Sequence, residues 1–338
     1  MNLTAMNEFE LIKKYFCDWD IGSAGWIHGD GTAAPQVSLG IGDDCALLNI
    51  PEGKHLAVST DTFSEGTHFF KGTSPEAIGY KALAVNLSDL AAMGAEPLGF
   101  TLALSLPDDN PAFLAGFSQG MRSLASKWRI PLVGGDTVRG ALSVTITVLG
   151  AVADSEAFRR DRAETGDRIF VSGPLGGAAY GVWARYRIIS ETPETRALFS
   201  RLDYPCPRLD LLPLLRLLGC RSALDISDGL LGDLSHILKA SRKRAVINRK
   251  SIPCPEFPKE VPPEEQLKMI LAGGDDYELL FTLSPENAER YKEMKRENPA
   301  LPVLYEIGSI HDCSSDFPEI SFADSPEIPA DIAGFTHF

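Results

Sequence analysis

Five times in this 338-residue chain a short apolar run closes on a small residue and one or two aspartates: Gly42-Asp43-Asp44, Ser59-Thr60-Asp61, Gly134-Gly135-Asp136, Asp225-Ile226-Ser227-Asp228 and Gly273-Gly274-Asp275-Asp276. Asp89, in Asn86-Leu87-Ser88-Asp89-Leu90, adds a further carboxylate, and no lysine or arginine stands within two residues of any of these groups. Taken singly, Asp beside Gly after a strand reads as a turn, because Asp bonds its own backbone and Gly accepts positive φ. Repetition carries more weight, since strands ending this way deliver their carboxylates to one sheet edge. A fold that gathers even half of them must offset their repulsion, and oxygen-bound divalent cations are the available counter-charge. Magnesium and a phosphate-bearing substrate are the chemistry to expect.

The formal charge of −14 supplies no basic face for a nucleic-acid backbone, which argues against that class of partner. No apolar run reaches the ~18–20 residues that cross a bilayer. The first sixteen residues mix Glu8, Glu10, Lys13 and Lys14 with apolar positions and carry no secretory pattern. Six scattered cysteines without a C-x-x-C pair argue against a disulfide framework or a zinc site, and fit a reducing cytoplasm.

The length suits two domains, 1–152 and 153–338, with the polar run 153–167 as the boundary. Phe9, Ile12, Phe16 and Trp19 recur at helical spacing, and 26–36 reads as a loop. The patterns predict a strand over 55–60 that delivers Asp61 at its end, and a helix from Ser74 carrying Asp89 near its far end. A buried strand is expected over 98–106, a helix over 112–128, and strands 130–133 and 143–152 flanking Gly134-Gly135-Asp136-Thr137. In the second half, strands enter glycine or aspartate corners at 167–173 and 223–225, with helices over 177–189, 210–219 and 230–239. Mixed strands and long helices in both halves indicate α+β layers.

No G-x-x-x-x-G-K-[ST] cradle and no protein-kinase signature is present, so a nucleotide must rest on metal ions and glycine-corner amides. Ser172-Gly173-Pro174-Leu175-Gly176-Gly177-Ala178-Ala179 runs from a strand into a helix start; it reads equally as an anion-binding corner or as close helix–sheet packing. His68, shortly after Asp61, is a candidate substrate contact. Among the basic residues, Arg139, Arg159 and Arg160 are considered for a role beside the corners, with Arg160 the candidate for a phosphate.

In their order, Ile41 to Ala46, Ser59 to Thr62 with Gly66 to Phe69, Lys81 to Gly94, Gly134 to Thr137, Asp225 to Leu230 and Gly273 to Leu279 resemble the thiamine-monophosphate kinase family, across roughly residues 7–338. That family belongs to the aminoimidazole ribonucleotide synthetase-like superfamily. The resemblance implies two α/β-layered domains: an N-terminal one that binds ATP and metal and dimerises through its sheet, and a C-terminal one that completes the nucleotide and substrate site. It implies transfer of the ATP γ-phosphate to thiamine monophosphate by a homodimer using several Mg2+ ions. Carried over by position, Asp44, Ser59, Thr60, Asp61, Asp89, Asp136, Asp225 and Asp228 match metal ligands. Gly135, Asp136, Arg160 and Ser227 match ATP contacts, and His68 and Asp275 match thiamine contacts. Some members carry Glu where Asp275 stands. Ile332 occupies the place of an expected tryptophan, where it offers apolar contact in place of ring stacking. Rival readings within the superfamily are an ATP-dependent synthetase with another acceptor and a non-catalytic Mg-nucleotide-binding member. The chain lacks the terminal cysteine of a hydrogenase-maturation protein and the Gly-flanked cysteine loop of a selenophosphate synthetase.

Overall fold

The computed structural model describes residues 8–17, 19, 36–314 and 319–324. Ile332 and nearly all of the 26–36 loop lie outside the described residues. The chain divides into two compact units, Met1–Leu90 with Ala95–Asp154, and Ala91–Gly94 with Ser155–Phe338.

In the first unit, α1 (Glu8–Ile12) passes into a π-helical turn (Lys13–Cys17). There follow β1 (Val37–Leu39), β2 (Leu47–Leu48), β3 (His55–Ser64), α2 (Pro75–Ala92), β4 (Glu96–Leu106), α3 (Pro111–Trp128), β5 (Leu132–Arg139) and β6 (Ser143–Val152). The main sheet has the order β3-β6-β4-β5, with β4 and β5 parallel and the other pairs antiparallel. Period-two alternation buries Phe100, Leu102 and Leu104 on β4 and Val144, Ile146 and Val148 on β6. The intervening Thr101, Ala103, Thr145 and Thr147 occupy the opposite, open face.

Helix α2 is buried around its circumference rather than along one stripe, with Ala77, Leu83, Ala84 and Leu87 joining Ile78, Ala82, Val85 and Leu90. Two glycines let α3 approach it: a Cβ on Gly79 would lie 2.1 Å from the Phe117 carbonyl oxygen, and one on Gly120 would lie 1.9 Å from that of Glu76. Asn110 caps α3, its Oδ1 accepting from the N–H of Ala112 and Phe113 at 3.0 and 3.3 Å.

Two of the expected corners are not corners. β3 runs through Asp61 to Ser64 and β5 runs through Gly134-Gly135-Asp136 to Arg139. Thr62, Phe63, Thr137 and Val138 are strand formers that carry the extended chain past each aspartate. Gly135 is needed for approach, since its Cβ would sit 2.0 Å from the Leu102 carbonyl oxygen.

The second unit contains β7 (Arg168–Val171), α4 (Gly177–Tyr186), α5 (Arg196–Asp203), α6 (Leu212–Leu217), β8 (Ser222–Asp225), α7 (Leu230–Ser241), β9 (Lys243–Ile247), α8 (Pro263–Ala272), β10 (Leu279–Leu283), α9 (Pro285–Glu297), β11 (Tyr305–Asp312) and β12 (Ile320–Phe322). Its sheet has the order β12-β9-β11-β7-β10-β8, antiparallel except for β12 against β9. The core gathers Ile169, Val171, Leu224, Leu230, Leu234, Ile237, Leu271, Leu280 and Ile307 beneath α7 and α8. Among the described residues no helix is long and apolar enough to cross a membrane, and all six cysteines are free thiols.

Candidate active site

Ser59 and Asp61 stand on the helix-facing side of β3, in register with the buried Val148 and Ile146 of β6. Ser59 donates its hydroxyl to Oδ2 of Asp89 on α2 at 2.5 Å. Burial pushes the Asp61 carboxyl above the ordinary carboxylate range, against the opposing effect of nearby His68. His68 lies within a turn closed by the Gly66 N–H on the Phe69 carbonyl at 2.8 Å. Its ring stacks on Phe63 with centroids 5.1 Å apart, and its Nδ1 accepts the Ser64 N–H at 3.1 Å. Lys81 of α2 is only 3% exposed; its ammonium donates to the His68 carbonyl at 3.4 Å and lies 5.7 Å from the Phe63 ring centroid. Ser59, Asp61, Asp89, His68 and Lys81 thus form one group at the β3 edge.

Thr60 does not belong to it. Alternation turns its side chain to the open face, where its hydroxyl pairs with that of Thr147 at 2.9 Å, as Thr62 pairs with Thr145. The Thr60 hydroxyl is thus directed away from Ser59 and Asp61.

Asp136 lies at the other edge. Asp61, Ile146, Leu102 and Gly135 form one row across the sheet, and Asp136 stands in the next row with Ala103, Thr145 and Thr62. Three strand spacings separate the edges, about 14 Å. Asp43 and Asp44 sit in the exposed connection of the β1–β2 hairpin, and that hairpin packs through Val37, Ala46 and Leu48 on Val133 of β5. So the first unit holds two acidic groups at opposite edges of its sheet, and the expected gathering at one edge does not occur.

In the second unit the two acidic segments do meet. The N–H of Ile226 bonds the Glu278 carbonyl, that of Tyr277 the Ile226 carbonyl and that of Asp275 the Ser227 carbonyl, at 2.8, 2.9 and 2.9 Å. These bonds extend the β8–β10 pairing and set Asp225, Ser227 and Asp228 beside Asp275. Glycine is required at two places here: a Cβ on Gly274 would meet the Ser227 carbonyl oxygen at 2.3 Å, and one on Gly229, which has φ +112°, would meet the Ala272 backbone at 2.6 Å. Asp275 and Tyr277 hold φ of 68° and 50°, a left-handed pair of the kind that concentrates at functional sites. The Tyr277 hydroxyl donates to Asp275 Oδ1 at 3.2 Å.

The Ser172–Ala179 corner is resolved in favour of packing. Asp276 already occupies its amides, accepting from Gly176 N–H at 2.6 Å and from Ala178 N–H at 3.3 Å. Burial raises this carboxyl to about 7, opposed by those hydrogen bonds and by Arg201. Gly173 is fixed by Glu278, whose Oε1 would lie 2.4 Å from an added Cβ. Glu278 in turn accepts from Ser172 Oγ and Arg208 Nη1, each at 2.6 Å, and lies 3.6 Å from Arg201 Nη1.

Arg160 opens a 3₁₀ turn, Arg160–Arg162; its side chain is exposed and its carbonyl accepts from Ser241 Oγ at 2.8 Å. Arg159 is held by Asp161 through two hydrogen bonds of 2.9 and 2.8 Å. Among the described residues no group of three or more His, Cys, Asp and Glu converges closely enough to cage a metal.

Asp233 lies outside every quoted motif, while Asp276, Glu278 and Lys81 stand inside quoted motifs that give them no role of their own. The usable signal for Asp233 is a carboxylate four residues beyond a glycine that starts a helix. For Lys81 it is a lone cation inside an apolar helix.

Residues 42–152 match the model for AIR synthase related protein, N-terminal domain, and residues 164–319 that for the C-terminal domain. Thiamine-monophosphate kinase of Escherichia coli (strain K12) is 40% identical over 338 residues, covering 99% of each chain. The chain belongs to the thiamine-monophosphate kinase family. The enzyme of that name from Bacillus subtilis (strain 168) is 34% identical over 315 residues, 90% of this chain and 94% of its own. Among solved structures, thiamine-monophosphate kinase from Stenotrophomonas maltophilia K279a superposes with a TM-score of 0.79 at 38% identity, covering 87% of this chain and 93% of that one. AaThiL complexed with AMPPCP and TMP gives 0.73 at 28% identity, over 85% and 89%. Membership bears out the resemblance on which the fold, two AIR synthase-like domains of mixed α and β content, was expected.

Proposed function

We propose that this protein transfers the γ-phosphoryl group of ATP to thiamine monophosphate, releasing ADP and thiamine diphosphate. The observation that carries the reading is full-length likeness to thiamine-monophosphate kinases at up to 40% identity. A related structure holding AMPPCP and TMP supports both substrates. The acceptor phosphate oxygen is a nucleophile at neutral pH, so the protein needs no general base and works by positioning and neutralising charge. No residue is assigned a covalent role.

Magnesium fits the donors present. They are hard oxygen ligands, and the ion keeps several waters and binds through one or two carboxylates with substrate phosphates, so no closed protein cage is required. Its holders on this reading are Ser59, Asp61 and Asp89 at the β3 edge, Asp44 and Asp136 at the β5 edge, and Asp225 at the end of β8 with Asp228 in the loop after it. Thr60 belongs to the β3 set as well, although its hydroxyl pairs with that of Thr147 on the other face. When bound, the ion offsets the charge of the phosphate oxygens. Gly135, Asp136, Arg160 and Ser227 serve ATP, and His68, Asp275 and Ile332 serve thiamine monophosphate. His68 is oriented for this by its Nδ1 bond to Ser64, and Asp275 by Tyr277.

We further propose a homodimer built on the N-terminal unit, residues 1–152, within a reducing cytoplasm. Strands β3 and β5 are both sheet edges, and unpaired edges need cover. The open face carries exposed Leu56, Val58 and Val138 beside its threonines. A ligand lying along a seam between the β3 edge of one copy and the β5 edge of a second reaches Asp61 from the first and Asp136 from the second.

The test is ATP consumption with and without thiamine monophosphate and magnesium, in wild type, Asp44→Asn and Asp136→Asn. Turnover that requires both additions and falls at least about 100-fold in the variants supports the reading. ATP consumption indifferent to thiamine monophosphate overturns the acceptor.

A further inference from the structure

The loop between β8 and α7 carries Ser227 and Asp228, and one side chain outside the loop organises its backbone. The N–H groups of Ser227, Asp228 and Gly229 converge on a single atom, Oδ2 of Asp233, at 3.1, 3.0 and 3.1 Å. Asp233 is 4% exposed and sits at the fourth position of α7, with its own N–H bonded to the Gly229 carbonyl at 3.0 Å. Consecutive N–H groups aimed at one point make an anion-binding nest. Here the chain's own carboxylate fills the nest, so these amides are spent on holding the loop and not on a phosphate.

A carboxylate that served α7 alone would stand at its N-cap and accept from the second or third helical N–H. Asp233 instead accepts from the N-cap residue Gly229 and from the two residues before it, all of which belong to the loop. The same loop is tied across to the second acidic segment by the Asp275 N–H on the Ser227 carbonyl at 2.9 Å. Three hydrogen bonds converging on one oxygen tie the loop backbone to α7.

We propose that Asp233 is a positioning residue for the magnesium–nucleotide complex: by anchoring three successive amides it fixes the directions in which Ser227 and Asp228 present their side chains. The inference rests on the reading that Ser227 and Asp228 serve ATP and its metal. A residue that only stabilised the fold would lower the unfolding temperature and leave the affinity of the folded fraction intact.

The experiment compares full-length wild type, Asp233→Asn and Asp233→Ala with Asp203→Asn, which loses the Arg185 ion pair at a site remote in sequence from either acidic segment. Thermal unfolding, calorimetric affinity for Mg–AMPPCP and the Mg2+ concentration at half-maximal velocity are measured. Asn keeps an oxygen acceptor and weakens affinity and magnesium response about threefold; Ala removes the anchor and weakens both about 10-fold or more. Asp203→Asn lowers the unfolding temperature with both binding readouts at wild-type values. If both Asp233 variants stay within about twofold of wild type in affinity and magnesium response, whatever their unfolding temperature, the proposal is overturned. Should the Ala variant fail to fold, the Asn variant decides. Wild type that binds Mg–AMPPCP but makes no thiamine diphosphate refutes the acceptor while the Asp233 comparison still stands. Wild type that does not bind Mg–AMPPCP overturns the nucleotide reading and this proposal together.

Discussion

Asp61 and Asp136 make opposite demands on a single copy of the chain. Their rows end on different edges of a four-stranded sheet, about 14 Å apart, and alternation puts them on different faces. Carboxylates that share a phosphate-bound ion lie within a few ångströms of it, since Mg–O distances are about 2.1 Å. On the proposed homodimer, a site using both groups draws them from two copies. The perturbation is a heterodimer, prepared by co-expression with two different tags, in which one copy carries Asp61→Asn and the other Asp136→Asn. Each homodimeric variant loses about 100-fold or more in activity. In the heterodimer one site collects both lesions and the other collects none, so about half of wild-type activity per dimer returns. The control pairs Asp61→Asn with Asp89→Asn, two lesions at the same edge; there each site keeps one lesion and activity stays low. Thiamine diphosphate formation by the purified heterodimers is the assay. A heterodimer of Asp61→Asn with Asp136→Asn that is as inactive as its parents would refute the reasoning and return both groups to one copy.

Other consequences are local. Ser59→Ala removes the bond to Asp89 and raises the Mg2+ concentration for half-maximal velocity about 10-fold, whereas Thr60→Val, altering only the pair with Thr147, stays within about threefold in the same titration. Glu278→Ala leaves Arg208 and Arg201 facing an empty site and costs about 3–5 kcal/mol in urea unfolding; a loss below about 1 kcal/mol would show that the pair is not buried in solution. Burial raises Asp276 to about 7 in the folded protein, above its unfolded value, so the folded state holds the extra proton. Stability from this group is full below about pH 4 and falls as pH rises to about 7, by up to roughly 4 kcal/mol. Asp276→Asn flattens that part of the slope in unfolding measured from pH 4 to pH 8, and an unchanged slope contradicts the assignment.

Where local chemistry decides structure, the sequence was legible. Pro111 after Asn110 starts α3, the apolar run before Asp225 forms β8, and Gly229 precedes α7 as its spacing suggests. Where neighbouring strands decide, it was not. Gly134-Gly135-Asp136 has the composition of a turn, but pairing with β4 keeps it extended, and the glycine answers to the Leu102 carbonyl rather than to a bend. Thr60 shows the same limit: its position between Ser59 and Asp61 suggests a shared role, while the two-residue period of β3 sends it to the other face. Asp276 and Asp275 are adjacent and chemically identical, yet one caps the start of α4 and the other is turned to Tyr277 by a left-handed backbone. Asp233 escaped notice because its partners are main-chain amides, which leave no side-chain pattern in a sequence.

The most direct measurement is phosphorus NMR of a reaction containing the wild-type protein, ATP, magnesium and thiamine monophosphate, followed to completion. Resonances of ADP and thiamine diphosphate growing in equal amounts, with no free inorganic phosphate, are the predicted result. Inorganic phosphate in place of thiamine diphosphate, or ATP left unconsumed by protein that is folded and binds Mg–AMPPCP, contradicts the account.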